Sequence, residues 1–492
     1  MALLAAIMGS FVAGLDATVV NVALPAIERD LGGGLAGQQW VSNVYLLVLG
    51  SLILVGGSLG DVYGARRVFS LGVLGFGIAS VACAVAPTLE VLIGARALQG
   101  VFGALLTPSA LALIVAAFPL AERGAAVGSW TAWSGIAMVV GPVAGGQIVD
   151  VVSWRWIFAI NVPFIAVTLA LVAAALPAAA PGTRASRPVD WPGAALSLLG
   201  LAGPVFALIR QPALGWSDPG VLVPLLGGLA LLAAFVLHES RTAHPMLPLG
   251  LFRRRNFAVA NAQTFVMYAG LSILVFFLIL FLQQVAGYGA LEAGLATLPI
   301  TLVMVALSRR TGALAARFGP RWFMGGGPLL SACGLALLLR VDEDVTYPTE
   351  LLPALLIFAL GLAATVAPLT ATVLADAGEG TAGIASGVNN AVARVAGLIG
   401  VAALGAVVAA QFAAALPAPT GDAADTAALA QARDLVFSRG SGASPEVARA
   451  ITEASVQAFH VGMGVAAGLL AVAGLLGAAG IRNPPTDGAA DR

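Results

Sequence analysis

The sequence predicts an all-α polytopic membrane protein. Hydrophobic residues make up 59% of the chain and charged residues only 10%, whereas a typical globular domain contains roughly 25% charged residues. Apolar runs of about 20 residues, each long enough to cross about 30 Å of hydrocarbon, recur from one end of the chain to the other. Inside the first of these runs lies an acid, Asp16. A carboxylate within a transmembrane helix is costly, and such residues usually lie on ion or substrate pathways.

Fourteen apolar segments are predicted to cross the bilayer as helices. They cover residues 3–27, 40–60, 68–87, 90–118, 124–149, 156–177, 190–210, 220–239, 257–285, 291–316, 322–340, 350–375, 381–412 and 455–481. An even number of spans places both termini on the same side of the membrane. The formal net charge is zero, which gives no support for binding to nucleic acid.

The distribution of arginine predicts which side that is. Every one of the 24 basic residues is arginine. The loops and tails on the side of the termini carry Arg66, Arg67, Arg123, Arg184, Arg187, Arg241, Arg253, Arg254, Arg255, Arg317, Arg321, Arg482 and Arg492. The opposite loops carry Arg29, Arg155, Arg210, Arg340, Arg433, Arg439 and Arg449. Because short cytoplasmic loops carry an excess of basic residues, we expect both termini in the cytoplasm.

Two segments are predicted to lie outside the membrane. Residues 178–189 are rich in alanine and proline and indicate a cytoplasmic linker, while residues 413–454 indicate an external loop. Within that loop, Ser444-Pro445-Glu446 has the pattern of an N-cap followed by proline at the first helical position. Either a short external helix begins there and leads into the last span, or the segment is a solvated flexible loop.

An internal repeat divides the chain. Residues 57–66 align with residues 312–321, and each segment follows an apolar span and ends in a basic turn. Transporters are often built from such repeats, with the substrate site between the two halves. The predicted organisation is an N-terminal six-helix bundle over 1–177, a linker with inserted helices 7 and 8 over 178–256, and a C-terminal six-helix bundle with the external loop over 257–492.

The two halves differ in charge. Asp61 of the first half corresponds to Ala316 of the second. Arg96 corresponds to an apolar position near Ile357, and Asp16 has no acidic counterpart early in the ninth span. The ionisable machinery is therefore expected in the N-terminal half.

Three motifs resemble those of the major facilitator superfamily, and the resemblance covers nearly the whole chain. Residues 57–67 resemble motif A, residues 96–104 resemble motif B of the fourth span, and residues 141–146 resemble motif C, the antiporter motif of the fifth span. Two positions of motif A that are usually basic are apolar here. The resemblance implies the major facilitator fold, in which two six-helix bundles are here joined by two inserted helices.

Residues 15–25, residues 154–163 and the number of spans are similar to the drug:proton antiporter-2 family. This resemblance implies an antiporter, not an enzyme, that exports drugs or other amphipathic small molecules across the plasma membrane of a bacterium. The proton gradient would drive it without a cofactor. Its partners would be the substrate, protons and the lipid bilayer, and we expect a monomer. Within the same fold, a uniporter, a symporter or a dedicated metabolite or lipid exporter is the alternative.

Asp16 is the predicted proton-coupling residue, because a partly desolvated carboxylate can exchange protons near neutral pH. Arg96 is the other isolated charge inside the N-terminal half. A guanidinium does not deprotonate, but it can pair with a nearby acid and release it when that acid binds a proton. The alternatives are an aspartate hydrogen-bonded to a neighbour such as Thr18, and an arginine that ties together backbone carbonyls.

A cytoplasmic gate is predicted from Asp61, Arg66, Arg67 and Arg123. Asp61 ends the second span, and a carboxylate is favoured near a helix N-terminus such as that of the eleventh span, just after Pro320. That contact would hold the cytoplasmic side closed. The alternative is that these charges only determine topology.

The antiporter motif of the fifth span contributes Gly141, Pro142, Gly145 and Gly146, which offer no donor chemistry. Small residues let helices approach closely, and proline bends a helix. We therefore expect a bent, tightly packed fifth helix that restricts leakage during exchange. Ordinary small-residue packing is the alternative.

Aromatic and amide side chains are candidates for the wall of a substrate cavity, because such surfaces suit bulky amphipathic ligands. They are Asn21, Trp40, Tyr45, Gln99, Trp130, Trp133, Phe265, Tyr268, Gln283 and Gln284. Each of them could instead fill an interhelical core or an interfacial belt. The sequence leaves the role of Arg394 open. It contains no evident cluster of metal ligands and no phosphate-binding loop, so we predict no metal site and no ATP hydrolysis.

Overall fold

The computed structural model describes residues 1–175, 189–243, 245–377, 382–418 and 422–483, and within 120–139 it describes only some of the side chains. These residues form helices and no strand. Most of the predicted linker 178–189 lies outside the described residues, as do Arg184, Arg187, His244 and Arg492.

The first bundle consists of seven helical segments that occupy the first six predicted spans. They are α1 (Ala2–Leu31), α2 (Gly34–Tyr63), α3 (Ala65–Ala84), α4 (Leu89–Ala117), α5 (Leu120–Val151), α6 (Trp156–Ala159) and α7 (Asn161–Ala175). The sixth predicted span is divided at Ile160, between α6 and α7. Helix α1 packs against α4, α5 and α7 and so lies at the centre of the bundle.

Two inserted helices follow, α8 (Trp191–Leu214) and α9 (Pro219–Arg241). Each begins with an aspartate N-cap and a proline in the first turn, which is a strong start signal for a helix. Asp190 accepts a hydrogen bond from the backbone N–H of Gly193, and Asp218 accepts one from that of Gly220. The pair packs tightly together, and α8 also contacts α2 and α14 (defined below).

The second bundle contains six long helices and one short helix. They are α10 (Arg255–Gln284), α11 (Ala290–Phe318), α12 (Pro320–Leu337), α13 (Leu352–Ala377), α14 (Ala382–Ala415), α15 (Ala423–Leu435) and α16 (Pro445–Gly480). Short 3₁₀ segments cover Leu249–Arg253 and Leu338–Arg340, and a π-helical turn covers Tyr347–Leu351.

The external segment is more ordered than the sequence indicates. Helix α15 was not predicted, and α16 starts at Pro445 and runs without a break into the last span. Ser444 does not cap α16 with its side chain. Instead its backbone N–H and its hydroxyl both donate to the carboxylate of Asp425, at 2.6 and 3.0 Å. That contact joins α15 to the start of α16.

Thirteen helices in the described part of the chain are long and apolar enough to cross a membrane. Helix α5, which is 32 residues long, occupies the place of the remaining predicted span. The prediction of an all-α polytopic membrane protein is therefore confirmed.

The two bundles meet mainly along the helix pairs α1 with α10, α2 with α14 and α5 with α11, and α1 also contacts α11. We call the end of the molecule that holds Met1 the Met1 face, and the opposite end the α15 face. At the α15 face, Gln283 donates to the carbonyl of Val22 at 2.9 Å, and Gln39 donates to that of Val401 at 2.7 Å. These bonds tie the bundles together at that end.

A third connection at the α15 face comes from a carboxylate. Asp150, at the end of α5, accepts from the backbone N–H groups of Ala290 and Leu291, at 3.1 and 2.8 Å. A carboxylate is favoured there because the first N–H groups of α11 have no partner within their own helix.

Further along α2, towards the Met1 face, Leu54 lies 3.1 Å from the position of a β-carbon on Gly387 of α14. Asp61, which lies closer to the C-terminal end of the same helix, is exposed. The two bundles are thus joined by hydrogen bonds at the α15 face.

Candidate functional site

Asp16 lies at the centre of a polar network inside the first bundle. Its side chain is 0% exposed. The carboxylate accepts hydrogen bonds from the guanidinium of Arg96, from the amide of Gln99 at 3.2 Å and from the amide of Asn161 at 3.1 Å. Helices α1, α4 and α7 are therefore joined at this one carboxylate.

Arg96 is 1% exposed and has further partners besides Asp16. Its Nε donates to the carbonyl of Val41 at 3.3 Å, and its Nη1 donates to Gln99 Oε1 at 2.8 Å. The guanidinium carbon lies 4.4 Å from the ring centroid of Tyr45, within cation–π range. Both sequence alternatives are thus present, because this arginine pairs with the acid and also binds a backbone carbonyl.

Three further neutral side chains complete the network, and none of them was among the predicted site residues: Ser80, Cys83 and Asn161. Gln99 donates to Ser80 at 2.8 Å, Asn161 donates to Ser80 at 3.3 Å, and the Cys83 thiol lies 3.3 Å from Gln99 Oε1. Asn161 falls within segment 154–163, so the resemblance could have signalled it. Ser80 and Cys83 lie in an apolar run, and nothing in their spacing distinguishes them.

The electrostatics of the network are those of a sealed ion pair. Two opposite charges are buried together, and every other member is neutral. Such a pair is weak evidence for stability, but removing one partner leaves an uncompensated buried charge, which is strongly unfavourable. The state of Asp16 is therefore coupled to the position of the Arg96 side chain.

Helix α5 packs on α1 directly beside Asp16. A β-carbon on Gly141 would lie 2.0 Å from Thr18 Oγ1, and one on Gly145 would lie 2.2 Å from Val19 Cγ2. A larger residue at either position requires Thr18 or Val19 of α1 to shift. Thr18 itself donates to the carbonyl of Leu15 at 3.0 Å, so it binds backbone and not the Asp16 carboxylate.

Another surface of α5 packs on α11 of the second bundle. A β-carbon on Gly146 would lie 2.5 Å from the α-carbon of Leu291, and one on Gly294 would lie 2.4 Å from the carbonyl oxygen of Pro142. The proline lies inside α5. The motif helix therefore contacts the helix that carries Asp16 and the opposite bundle at the same time.

The predicted gate residues are not assembled in this structure. Asp61 and Arg67 are exposed, and in the described part of the chain neither side chain makes a hydrogen bond or an ion pair. Arg123 donates to the carbonyl of Phe118 at 3.0 Å, within its own bundle, and Arg66 is half-buried. The expected contact of Asp61 with the start of α12 is not made among the described residues, and the backbone N–H of Arg321 there donates to Asn483 at 3.1 Å instead.

Four of the predicted cavity residues face the interior of the molecule. Tyr45 and Gln99 are buried against Arg96 and are therefore part of the network, not of a cavity wall. Trp40 packs on Phe206 of α8, with ring centroids 5.8 Å apart. The indole of Trp130 donates to Ser10 Oγ at 2.8 Å.

The remaining candidates lie on helices that meet between the bundles. Asn21 accepts from Ser42 at 3.4 Å, Tyr268 is half-buried, and Trp133 and Phe265 are exposed. Gln283 and Gln284 line a cavity of about 460 Å³ at the α15 face.

Arg394 lies on α14, where that helix crosses α2. A β-carbon on Gly50 of α2 would be 3.4 Å from Cβ of Arg394. The side chain is half-buried, and its Nε has no hydrogen-bond partner among the described residues. The sequence left this residue open, and the structure places it at the contact between the two bundles.

Residues 6–401 match the family model of the Major Facilitator Superfamily. The chain belongs to the major facilitator superfamily. It is accordingly a multi-pass membrane transporter, as the motifs in α2, α4 and α5 indicated.

Three relatives come from Streptomyces and Mycobacterium species. The chain is 40% identical over 397 residues to the puromycin resistance protein pur8 of Streptomyces alboniger, which covers 80% of this chain and 78% of that protein. It is 35% identical over 409 residues to the tetracenomycin C resistance and export protein of Streptomyces glaucescens, covering 83% and 75%. It is 34% identical over 417 residues to the multidrug resistance protein Stp of Mycobacterium tuberculosis, covering 85% and 77%.

Solved structures of the superfamily share the fold. The inward-open form of the xylose transporter XylE from E. coli aligns with a TM-score of 0.61 at 12% identity, covering 99% of this chain and 97% of that one. An inward-facing, occupied bacterial homologue of the human lysosomal transporter Spinster aligns with a TM-score of 0.64 at 17% identity, covering 96% and 95%. At such identities the likeness establishes the fold alone.

Proposed function

We propose that this transporter exports drugs or other amphipathic small molecules across the bacterial plasma membrane in exchange for protons, without a cofactor. The observation that carries the proposal is the Asp16–Arg96 pair. Among the ion pairs in the described part of the chain, this is the one in which both side chains are almost completely buried. Relatives named for puromycin resistance, tetracenomycin C export and multidrug resistance support drug efflux as the transport activity.

Proton exchange at Asp16 would change the forces inside the first bundle. In its charged form the carboxylate compensates the Arg96 guanidinium and accepts bonds from two amides. Once Asp16 is neutral, Arg96 keeps its charge because a guanidinium does not deprotonate. A buried cation without a counter-ion is unfavourable. Protonation therefore favours an arrangement of α1 and α4 in which Arg96 finds water or another partner.

The packing offers a route from Asp16 to the interface between the bundles. Because Gly141 and Gly145 leave no space between α5 and α1, a shift of α1 must move α5. Gly146 in turn holds α5 against α11. A change of protonation would thus favour rocking of one bundle against the other, which is the general mode of alternating access.

The gate residues fit into the same cycle. We infer from the arginine distribution that the Met1 face is cytoplasmic, and we propose that the state with the bundles joined at the α15 face is the one open to the cytoplasm. Asp61 would meet the N-terminus of α12 only when that face closes. Proton release and gate formation would then belong to opposite halves of the cycle.

The charges between the bundles constrain the substrate. Asp16 is sealed by its hydrogen-bond donors, whereas Arg394 has no carboxylate partner among the described residues. A surface with an uncompensated cation disfavours dications. We therefore propose neutral or singly charged lipophilic substrates, with a hydrogen-bond acceptor placed towards Arg394.

A vesicle experiment tests the coupling. The full chain is reconstituted into inside-out vesicles with an acidic lumen and a trapped pH dye, and puromycin or ethidium is added outside. An antiporter releases protons when substrate enters, and Asp16→Asn removes that release while downhill substrate flux continues. Substrate flux that ignores the pH gradient would instead support a uniporter.

A dedicated exporter is the second candidate, because one relative is named for the export of a single compound, tetracenomycin C. Susceptibility profiles of cells with and without the chain separate the two. A multidrug exporter raises resistance to several chemically unrelated compounds, whereas a dedicated exporter raises resistance to one scaffold.

A further inference from the structure

An acid and imidazole cluster lies between the inserted helices, away from the interface of the two bundles. Asp190 caps the start of α8, while His238 and Glu239 lie in the last turn of α9. One potential ligand atom from each of the three lies within 4.8 Å of the others. His238 Nε2 is 2.8 Å from Asp190 Oδ1. The antiparallel packing of α8 and α9 brings these residues together.

Each carboxylate in the cluster is oriented by a backbone N–H group. Asp190 Oδ1 accepts from Gly193 at 2.9 Å, and Glu239 Oε2 accepts from Leu247 at 2.8 Å. The other oxygen of each, Asp190 Oδ2 and Glu239 Oε1, is buried without a hydrogen-bond partner among the described residues. The side chains of Asp190 and Glu239 are only 7% and 3% exposed.

The two free oxygens converge on the same space. A β-carbon on Gly193 would lie 2.6 Å from Asp190 Oδ2 and 2.7 Å from Glu239 Oε1. Because residue 193 is a glycine and has no β-carbon, its side chain does not fill the space next to these two oxygens. Converging, pre-oriented oxygens of this kind are what a bound cation requires.

The ion-pair partner of Asp190 in the described part of the chain is His238. Among the same described residues, no arginine forms an ion pair with Asp190 or Glu239.

We propose that Asp190, His238 and Glu239 form a binding site for a divalent transition-metal cation of the zinc type. One imidazole nitrogen and two carboxylate oxygens are an ordinary donor set for zinc, and three protein ligands leave a position for water. His238 is 29% exposed, which gives the ion a route from solvent. A bound ion joins the start of α8 to the end of α9 and so fixes the inserted pair next to the predicted linker.

Metal titration of the full chain in lipid nanodiscs tests the site. After treatment with EDTA, the protein is titrated with Co²⁺, whose visible absorption reports its ligands, and then with Zn²⁺ in competition. We expect one Co²⁺ per chain, displaced by Zn²⁺. Glu239→Gln and His238→Gln each weaken binding at least about tenfold. Asp190→Asn does the same while it keeps the helix cap, since asparagine caps as well as aspartate.

Two further variants make the test specific. Asp218→Asn changes the equivalent cap of α9 and leaves binding unchanged, since its hydrogen bond to Gly220 lies apart from the cluster. Gly193→Ala fills the space between the two free oxygens and weakens binding with all three ligands present. Thermal unfolding of each variant without metal confirms that it is folded.

A shared proton between the two carboxyl groups is the competing explanation. It predicts that the wild-type chain binds no more Co²⁺ than Glu239→Gln does, and that an infrared band of a protonated carboxyl group disappears in that variant. Either result overturns the proposal. Equal affinity of the wild-type chain and all three ligand variants also overturns it, because the bound ion would then lie elsewhere.

Discussion

The two bundles share a fold but differ in how their interiors are held together. The first encloses an ion pair, Asp16 with Arg96, and amides on neighbouring helices donate hydrogen bonds to the Asp16 carboxylate. In the second, the corresponding polar contacts are neutral. Asn389 of α14 donates to Asn261 and to Thr264 of α10, at 3.2 and 2.8 Å. No ion pair lies in the second bundle among the residues that the structure describes.

Packing replaces charge in the second bundle. The rings of Phe281 and Phe459 stack with centroids 4.1 Å apart. Helices α12 and α13 approach so closely that a β-carbon on Gly334 would lie 2.4 Å from the backbone nitrogen of Phe358. Small residues of this kind hold membrane helices together by van der Waals contact. In the proposed mechanism, protonation would therefore reorganise the first bundle, and the second bundle would act as the rigid surface against which it moves.

The comparison predicts the largest effect for Asp16→Asn. One proton that enters across 100 mV supplies about 2.3 kcal/mol, enough to sustain a substrate gradient of roughly 50-fold. We expect the variant to lose that accumulation completely and to equilibrate substrate instead. The double variant Asp16→Asn with Arg96→Gln also removes the positive charge that the single variant leaves unpaired. It therefore tests the loss of substrate accumulation in a protein without a buried unpaired charge. The control is Asp422→Asn, in an exposed helix cap, and the idea fails if either Asp16 variant still accumulates substrate.

The second prediction concerns stability. Arg96→Leu strands the Asp16 carboxylate in the bundle, and we expect a loss of about 3–5 kcal/mol in the free energy of unfolding. Adding Asp16→Asn should restore much of it. Asn389→Ala in the second bundle removes only neutral hydrogen bonds and should cost about 1 kcal/mol. Denaturant unfolding in detergent measures all four chains, and equal losses in the two bundles would contradict the contrast drawn here.

The sequence predicted the parts of this contrast that depend on composition and on isolated charges. Long apolar runs specify the spans, and two deep charges in one bundle must find each other because neither is tolerated alone. It could not select Ser80, because a hydroxyl in an apolar run carries no positional signal. The cluster of Asp190 and Glu239 also escaped it, because its members lie 49 positions apart in sequence and meet only through helix packing.

The gate was predicted as a contact between Asp61 and the start of α12, and that contact is not made among the described residues. A sequence specifies which residues can meet but not which state of a transporter is populated. Asp61 and the start of α12 belong to opposite bundles, so their contact depends on how the bundles are arranged. Gln283 was predicted as a cavity residue, and in this structure its amide also donates a hydrogen bond from one bundle to the other. The sequence could not predict that bond, because it forms only in one arrangement of the bundles.

The third prediction tests how the first bundle is connected to the second. Gly146→Ala places a methyl group against the backbone of α11, and overpacking of this kind typically costs about 1–3 kcal/mol. We expect slower transport and a lower Tm. The matched control on the same helix is Gly128→Ala, whose β-carbon would meet nothing within 4 Å. If both alanine variants behave alike, the contact between α5 and α11 has no special role.

The smallest expected effect lies at the α15 face. Gln283→Ala removes one hydrogen bond between the bundles, to the carbonyl of Val22, and such a bond contributes about 1 kcal/mol. Because this bond exists only while that face is closed, its loss shifts the population towards the state open at the α15 face by roughly fivefold. Asn261→Ala, which removes a hydrogen bond made entirely within the second bundle, should not shift it. Spin-label distances across the α15 face measure both populations. An unchanged distribution in Gln283→Ala would show that Gln39, Asp150 and the aliphatic contacts hold this face closed without Gln283.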